Sequence, residues 1–167
     1  MHLRVAAPAD AAAIVTIYNQ GIEDRVATFE TRLRTPQEVE QWFDGTHPIV
    51  VLETDQRQVI AFASTSIYRP RPCYAGIAEF SVYVERSWRG HGAGRLALEG
   101  LLQEAEKAGF WKLVSRVFVE NTASRALLCR LGFREVGVYE KHAQLDGVWR
   151  DVVIVERLLP GKGGCCV

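Results

Sequence analysis

The sequence predicts a mixed α/β fold in which one sheet carries helices on both of its faces. Stretches rich in β-branched and aromatic residues alternate with stretches whose apolar residues recur at helical spacing. Short polar or glycine-containing turns separate several of these stretches. Together these observations give the element order β-α-α-β-β-β-α-β-α-β-β.

The length and composition are typical of one soluble globular domain with a sizeable core. The chain has 167 residues, of which 48% are hydrophobic and 24% charged, and its 20 basic and 20 acidic residues balance. This balance argues against a nucleic-acid partner or a polybasic membrane surface. Because no apolar run reaches transmembrane length and the N-terminus lacks a signal-peptide core, we expect a cytoplasmic protein.

The domain is expected to span residues 1–159 and to be followed by a flexible, glycine-rich tail over 160–167. The four cysteines show no zinc-ligand spacing, so no metal site is predicted. Cys165 and Cys166 lie in the tail, where a soft-metal or redox role is the alternative to two ordinary reduced thiols.

Two helices are predicted in the first third of the chain. Apolar residues recur at helical spacing from Ala11 to Ile22, and Asp10 is a candidate N-cap. A second helix begins after Thr35, with Pro36 at its first position. Glu38 follows the cap by three residues, which completes a capping box.

Strands are predicted around these helices. Leu3–Ala7 precedes the first helix, and Ile49–Glu53 and Val59–Tyr68 form a hairpin across a polar turn. A proline-stiffened loop, residues 69–74, then leads into a central strand that includes Phe80–Val84.

The second half continues the alternation and closes with an antiparallel pair. The Asp-Gly turn at residues 146–147 is a strong hairpin signal. The predicted elements are a helix over Leu96–Ala108 with Gly109 as C-cap, a strand over Trp111–Val119, a short helix between Asn121 and Phe133, and strands over Arg134–Gln144 and Val148–Leu158.

The central strand ends in a glycine-rich turn, Arg89–Arg95, that opens the next helix. Glycines let the backbone approach a ligand, and the first helical N–H groups lack intrahelical partners and attract anions, so a phosphate is expected there. A P-loop is excluded because Arg-Leu follows the last glycine, and a dinucleotide fingerprint because the glycines fall at 90, 92 and 94. A plain glycine-rich strand–helix turn is the alternative.

Two motifs resemble those of the Gcn5-related N-acetyltransferase (GNAT) family. They are R-x-x-G-x-G from Arg89 to Gly94, after a V-Y-V strand, and N-x-x-S from Asn121 followed by L-G-F at 131–133. The resemblance implies a twisted, mostly antiparallel sheet of about six to seven strands, with acetyl-CoA as acetyl donor and a homodimer. Within the family the chain is most similar to phosphinothricin, methionine sulfoximine and arsinothricin N-acetyltransferases, over residues 3–151.

The resemblance also implies which residues bind acetyl-CoA. In the family the turn amides hold the pyrophosphate, and the preceding strand offers backbone groups to the pantetheine arm. An amide near Tyr83 or Val84 is expected to polarise the thioester carbonyl. The residues assigned in this way are Val82, Tyr83, Val84, Arg89, Gly90, His91, Gly92, Ala93, Gly94, Arg95, Asn121 and Ser124.

Glu79 is the predicted general base for an amine acceptor. It shares a strand face with Ser81 and Tyr83 by period-two alternation, and it lies where the family places a carboxylate. The alternative is a structural ion pair with an arginine from the preceding loop, and the two roles are compatible.

Acceptor binding is predicted for residues on two loops. Arg69 and Arg71 alternate with prolines, and arginine pairs bind carboxylates and oxyanions, although both could instead be solvated. Phe29 and Thr31 would add an apolar wall and a hydroxyl, and Tyr74 a further contact. Simple loop packing is the alternative for these three.

Two positions depart from the family pattern. Leu128, followed by a cysteine, lies where a tyrosine or histidine often protonates the leaving thiolate, so no general acid is assigned. The C-terminal K-[HF]-G-x-W segment is matched only at Gly147 and Trp149, and His142 is an isolated histidine. These departures bear on the substrate rather than on the reaction.

The predicted activity is therefore acetyl-CoA-dependent N-acetylation of the α-amine of a small glutamate-like amino acid antibiotic, by direct transfer in a ternary complex. Acetylation of a protein N-terminus or a polyamine is one alternative. A non-catalytic acetyl-CoA sensor is another.

Overall fold

A computed structural model describes residues 1–160, so the predicted tail lies, apart from Pro160, outside the described residues. The elements are β1 His2–Val5, α1 Ala11–Glu23, α2 Pro36–Glu40, β2 Ile49–Glu53, β3 Val59–Ile67, β4 Ile77–Val84, α3 Ala93–Lys107, β5 Lys112–Phe118, α4 Thr122–Arg130, β6 Arg134–Leu145 and β7 Val148–Leu158. The strands form a seven-stranded sheet in the order β1-β2-β3-β4-β5-β7-β6, in which only β4 and β5 are parallel neighbours. The predicted mixed, mostly antiparallel fold is confirmed.

Both faces of the sheet are covered by helices, as β2 shows. Side chains of a strand alternate between faces. Ile49 and Val51 pack into a core with α1, whereas Val50 and Leu52 pack into a second core with α3. This explains why β2 reads as a continuous apolar run rather than as an alternating one. Among the described residues, no helix is long and apolar enough to cross a membrane.

Of the two predicted helix N-caps, the one at α2 forms the predicted side-chain hydrogen bonds and the one at α1 does not. The capping box of α2 is confirmed, since the amide of Glu38 donates to the Thr35 hydroxyl and the Glu38 carboxylate accepts from the Thr35 amide. Asp10 stands before α1, but its carboxylate makes no cap hydrogen bond to that helix. It accepts instead from the amide of Ala7 and from both terminal nitrogens of Arg4, at 2.8 Å each. The prediction for Asp10 is therefore right in position, since Asp10 is the N-cap residue of α1, and wrong in the hydrogen bond, because an arginine on β1 competes for the same carboxylate.

Replacing Asp10 with asparagine is expected to lower the free energy of unfolding at neutral pH by about 1 kcal/mol. The Arg4 guanidinium holds the pKa of the Asp10 carboxyl below its ordinary value. A carboxyl with a lowered folded-state pKa stabilises the fold above its unfolded pKa of about 3.9, and this stabilisation is lost as the pH falls through the folded value. Urea unfolding at several pH values should therefore show a gap between wild type and Asp10→Asn that closes on acidification. A gap that stays constant with pH would contradict this, and Glu106→Gln on the exposed side of α3 is the control.

The sheet is split between β4 and β5, and this split forms the candidate site. β4 and β5 pair only where Ile77, Ala78 and Glu79 face residues 112–114. Beyond Glu79 the two strands diverge, so residues 80–84 have a neighbour in β3 and no strand on their other side. The central strand therefore has an open edge in the middle of the sheet.

Candidate active site

The open edge of β4 presents the backbone groups of Val82 and Val84. The amide of Glu85 donates to the carbonyl of Ile60 in β3 at 2.8 Å. Because successive residues of a strand direct their backbone groups to opposite sides, Tyr83 faces β3 as Glu85 does, and Val82 and Val84 face the opening. The amides of Tyr83 and Val84 were both predicted to polarise the thioester carbonyl. The Tyr83 amide faces β3 within the sheet, whereas the Val84 amide faces the opening.

The glycine-rich turn leads from this edge into α3. Gly90 and Gly92 have φ values of 78° and 83°, in the left-handed region that favours glycine. Within the described chain, the amides of residues 90–95 donate to no protein acceptor, so they are available to an anion. The predicted anion site would thus be built by the backbone.

The turn, the open edge and α4 border a groove of about 440 Å³. Arg95 lies on it and also contacts Glu99 at 3.3 Å. Arg130 of α4 was not singled out by sequence reasoning, yet it lines the same groove. The arginines make this end of the groove electropositive, as a phosphorylated ligand requires. The lining residues are Gly21, Asp24, Val26, Ala27, Val82, Tyr83, Val84, Arg89, Gly90, Gly92, Gly94, Arg95, Ala123, Ser124, Leu127 and Arg130.

Arg89, the first residue of the motif, is held by the protein itself. Its Nε donates to the carbonyl of Val84 at 3.1 Å, and its Nη1 lies 2.7 Å from Asp24 Oδ2. Asp24, at the end of α1, also pairs with Arg86 at 2.7 Å. The hydrogen bond from Arg86 has the largest effect on the Asp24 carboxyl and lowers its pKa, and Arg89 lowers it further. The Arg89 side chain therefore fixes the turn to β4 and α1 rather than pointing at a phosphate, and His91 Nδ1 adds a 2.9 Å contact to the Arg89 carbonyl.

Replacing Gly92 with alanine is expected to raise the KM for the phosphorylated ligand of this groove, by about 5–30-fold. An alanine at this φ is strained by about 1–2 kcal/mol. This strain disfavours the turn conformation that binds the ligand, and so weakens binding. Steady-state kinetics against Gly45→Ala provides a matched control. Gly45 has a similar φ of 77°, and a Cβ at either glycine meets no atom within 4 Å. An equal change in both variants would contradict a role of this turn in binding.

A small recess of about 70 Å³ lies in the split between β4 and β5. Asn121 lines it, but its side-chain oxygen accepts from the Ser124 amide at 3.2 Å, which caps α4. Its Nδ2 donates to the carbonyl of Val26 at 3.3 Å. Leu128 is buried and lines the recess, where its side chain supplies no proton donor. The asparagine of the motif thus has a structural task in addition to the predicted cofactor contact.

Glu79 lies in the wall of a cavity of about 420 Å³ on the α1 side of the split. Its Oε1 accepts from Arg116 Nη2 at 2.8 Å. The anticipated partner was an arginine of the preceding loop, so this detail of the alternative is wrong. The cavity is lined by Tyr18, Ala27, Thr28, Phe29, Glu30, Glu79, Phe80, Ser81, Tyr83, Ser115, Arg116, Phe118, His142, Ala143 and Val152.

The arginine loop lies beside a neighbouring cavity of about 260 Å³. Arg69 lines it, and its guanidinium carbon is 4.8 Å from the ring centre of Tyr68. The guanidinium carbon of Arg71 lies 5.9 Å from the ring centre of Tyr74, and Arg71 lines none of the cavities described for residues 1–160. The structure therefore places Arg69 and Tyr74 near Glu79, and leaves Arg71 on the surface.

Of the two loop residues predicted to contact the acceptor, Phe29 and Thr31, the structure places only Phe29 at the larger cavity. Phe29 lines the larger cavity and packs edge-on against Phe118 with ring centres 4.8 Å apart. Thr31 is exposed and outside the described cavities, whereas Thr28 lines the larger cavity. The hydroxyl near the site is therefore that of Thr28. A loop without regular periodicity gave no signal for choosing between the two threonines.

Two tyrosines separate the larger cavity from the aromatic core. Tyr18 and Tyr83 pack edge-on with ring centres 5.1 Å apart. Burial raises the pKa of both hydroxyls, and the nearby Glu30 carboxylate adds to this for Tyr18. Both side chains therefore stay protonated at neutral pH, as hydrogen-bond donors or acceptors near Glu79. Glu30 is itself paired with Arg34 at 2.5 Å.

This arrangement matches a known family over most of the chain. Residues 16–133 match the model of the acetyltransferase (GNAT) family. The chain belongs to the GNAT family. It is accordingly an N-acetyltransferase, and the prediction of acetyl-CoA as its acetyl donor is confirmed. The open edge of β4 and the free turn amides fit the amide-bearing arm and pyrophosphate of that donor.

Curated GNAT relatives match along nearly their whole length. A Bacillus subtilis protein, YwnH, provisionally named a phosphinothricin acetyltransferase, is 35% identical over 95% of this chain and 99% of its own. An L-methionine sulfoximine/L-methionine sulfone acetyltransferase from Pseudomonas aeruginosa is 31% identical over 92% of each chain.

Solved GNAT structures agree with the fold. A phosphinothricin acetyltransferase from Sinorhizobium meliloti in complex with AcCoA superposes with a TM-score of 0.90, at 29% identity over 99% of this chain and 91% of its own. A ribosomal-protein-alanine N-acetyltransferase from Brucella melitensis also has a TM-score of 0.90, at 31% identity over 95% of this chain and 100% of its own.

Proposed function

We propose that this GNAT enzyme acetylates the α-amine of a small glutamate-like amino acid, such as phosphinothricin, methionine sulfoximine or arsinothricin, and so confers resistance to it. The observation that carries the proposal is Glu79, which stands in an open cavity directly beside the free edge of β4. Relatives named for phosphinothricin and methionine sulfoximine support the substrate class. A cavity of about 420 Å³ suits a small molecule.

The residues support direct transfer in a ternary complex. Acetyl-CoA supplies the acetyl thioester, held by the turn amides and the open edge of β4. Glu79 accepts a proton from the acceptor ammonium, which leaves the neutral amine with its lone pair. The Val84 amide faces the opening, where it stabilises negative charge on the thioester oxygen. Cys129, the cysteine that follows Leu128 and a candidate nucleophile for covalent transfer, lies on α4 and lines none of the cavities described between residues 1 and 160.

A protein N-terminus is the second candidate acceptor, favoured by the Brucella neighbour named for ribosomal-protein alanine. A polyamine is less suited, because Arg69 and Arg116 line the cavities around Glu79 and repel a polycation. A non-catalytic acetyl-CoA sensor would bind the donor without turnover.

The test is release of CoA from acetyl-CoA with each of the three amino acid antibiotics, a peptide with an N-terminal alanine, and spermidine. Rapid release with an anionic amino acid is expected. Release with the peptide alone would replace the proposed acceptor by a protein N-terminus. Tight acetyl-CoA binding without release for any acceptor would favour the sensor.

The proposal includes a cytoplasmic homodimer. β6 is an edge strand whose Val136, Val138 and Tyr139 are exposed, and Val148 and Trp149 of the adjoining hairpin are exposed as well. An exposed apolar edge of this kind suits a second copy of the chain. Light scattering on the purified protein measures the assembly, and a monomeric mass would contradict it.

A further inference from the structure

The ion pair between Glu79 and Arg116 lies at the point where the sheet splits. Glu79 belongs to the last matched position of β4 and β5, opposite Val114. Arg116, two residues further along β5, is on the same face as Val114 by period-two alternation. Because the strands diverge there, Arg116 reaches back across the gap to Glu79. The pair is therefore held by the backbone of two strands rather than by mobile loops.

The pair is accessible from both sides. Glu79 and Arg116 line the 420 Å³ cavity and the 260 Å³ cavity alike. Their side chains are 29% and 43% exposed, so neither charge is sealed in the core. A small ligand entering either cavity meets a carboxylate and a guanidinium side by side.

Arg116 has unused donor capacity. A guanidinium carries five N–H groups, and Arg116 makes one bond to Glu79 and a 3.4 Å contact with His142 Nε2. Among the described residues, no hydrogen bond is made to Glu79 Oε2. Each member of the pair therefore retains a free group that faces the cavities.

We propose that the Glu79–Arg116 pair is the recognition site for the zwitterionic end of the acceptor, with its α-carboxylate on Arg116 and its ammonium on Glu79. This inference rests on the proposed function. An α-amino acid carries both charges on one carbon, so the adjacent and opposite charges of the pair match it. Charge-assisted and bidentate bonds to a guanidinium make the carboxylate contact specific.

The contact between the acceptor carboxylate and Arg116 also prepares Glu79 to act as the general base. In the free enzyme Arg116 occupies Glu79 Oε1 and neutralises part of its charge. When the acceptor carboxylate takes over the guanidinium, Glu79 loses a competing partner and accepts one proton from the ammonium. The amine nitrogen then bonds to the thioester carbon, the carbon–sulfur bond breaks, and the second nitrogen proton leaves to the thiolate. The products are the N-acetyl amino acid, CoA–SH and a protonated Glu79 that returns its proton to water.

Arg116 fits this task better than the arginines of the loop. Arg69 and Arg71 stack on Tyr68 and Tyr74, and no hydrogen bond joins either guanidinium to Glu79. Arg69, which lines the smaller cavity, remains suited to the distal polar head of the acceptor.

The experiment compares methionine sulfoximine with the amine formed by its decarboxylation, in wild type, Arg116→Gln, Arg116→Lys and Arg69→Gln. Arg125→Gln is the control, because it removes an arginine paired with a glutamate, Glu135, and neither residue lines a cavity described for residues 1–160. Arg116→Gln is expected to lower kcat/KM for the amino acid by about 10–100-fold, the loss of a hydrogen-bonded charge pair, with little change for the amine. Arg116→Lys should restore part of the preference.

Two results would overturn the inference and leave the proposed function standing. One is an equal loss for both acceptors in Arg116→Gln, as expected if Arg116 merely positions Glu79. The other is a selective loss in Arg69→Gln instead. If the wild type acetylates no α-amino acid at all, the proposed function fails, and the inference fails with it.

Discussion

Replacing Glu79 with glutamine is expected to lower kcat by about 10²–10⁴-fold at neutral pH, the usual contribution of a positioned general base. Glutamine has nearly the same shape, and its amide oxygen still accepts from Arg116, so the fold and the cavity are preserved. The KM for acetyl-CoA should stay unchanged, because Glu79 does not line the groove beside the glycine-rich turn, where the donor is predicted to bind. CoA release under saturating acetyl-CoA measures the effect.

The control is Glu106→Gln, which removes the same charge from the exposed side of α3 and should behave as wild type. If Glu79→Gln retained activity near that of the control, Glu79 would be only a structural partner of Arg116. A relaying residue would then have to be sought among the polar side chains of the same cavity.

Replacing Phe62 with alanine is expected to have the largest effect on stability, a loss of about 3–5 kcal/mol in the free energy of unfolding. Phe62 is 0% exposed, and its ring stacks on Tyr83 with centres 5.5 Å apart and lies 6.2 Å from that of Trp42. Truncation leaves a cavity between α1 and the sheet, behind the strand that carries the site. The loss is a large fraction of the stability of an ordinary domain, about 5–15 kcal/mol.

Ile67→Ala on the same strand is the matched control, because Ile67 is 62% exposed and little apolar area is lost there. Urea denaturation of both variants measures the difference. Equal urea midpoints for the two variants would show that the core between α1 and the sheet repacks to fill the cavity, and would contradict the expected loss of stability.

Features set by neighbouring residues could be predicted from the sequence. The capping box of Thr35 and Glu38 depends on a three-residue spacing, and the Asp146-Gly147 turn depends on two backbone angles, φ 50° and 77°. The strand, glycine turn and helix around residue 90 likewise form a contiguous unit. Each of these is fixed by local geometry, so the element order was predicted correctly.

Contacts between distant segments could not be predicted in this way. The Glu79–Arg116 pair depends on the register of a parallel strand pair, and no local signal in a sequence sets that register. Asp10 was assigned to a cap because its partner Arg4 lies on a different element. Arg71 was expected at the site, whereas the folded chain places it on the surface beside the Tyr74 ring. In each case a long side chain contacts a residue that lies near it only in the folded chain.

β4 is an interior strand by position and an edge strand by hydrogen bonding over residues 80–84. Unpaired edges usually invite another chain to add to the sheet, which is a cause of aggregation. Here residues of α4 line the groove along the free edge, so the helix restricts access by a strand of a folded neighbour. Under the proposed binding mode, the amide-bearing arm of the donor would complete the sheet instead, and its binding would add to the stability of the fold. At a ligand concentration of 100 times Kd this linkage contributes about 2.7 kcal/mol, so the concentration of the donor would also set the fraction of the enzyme that is folded.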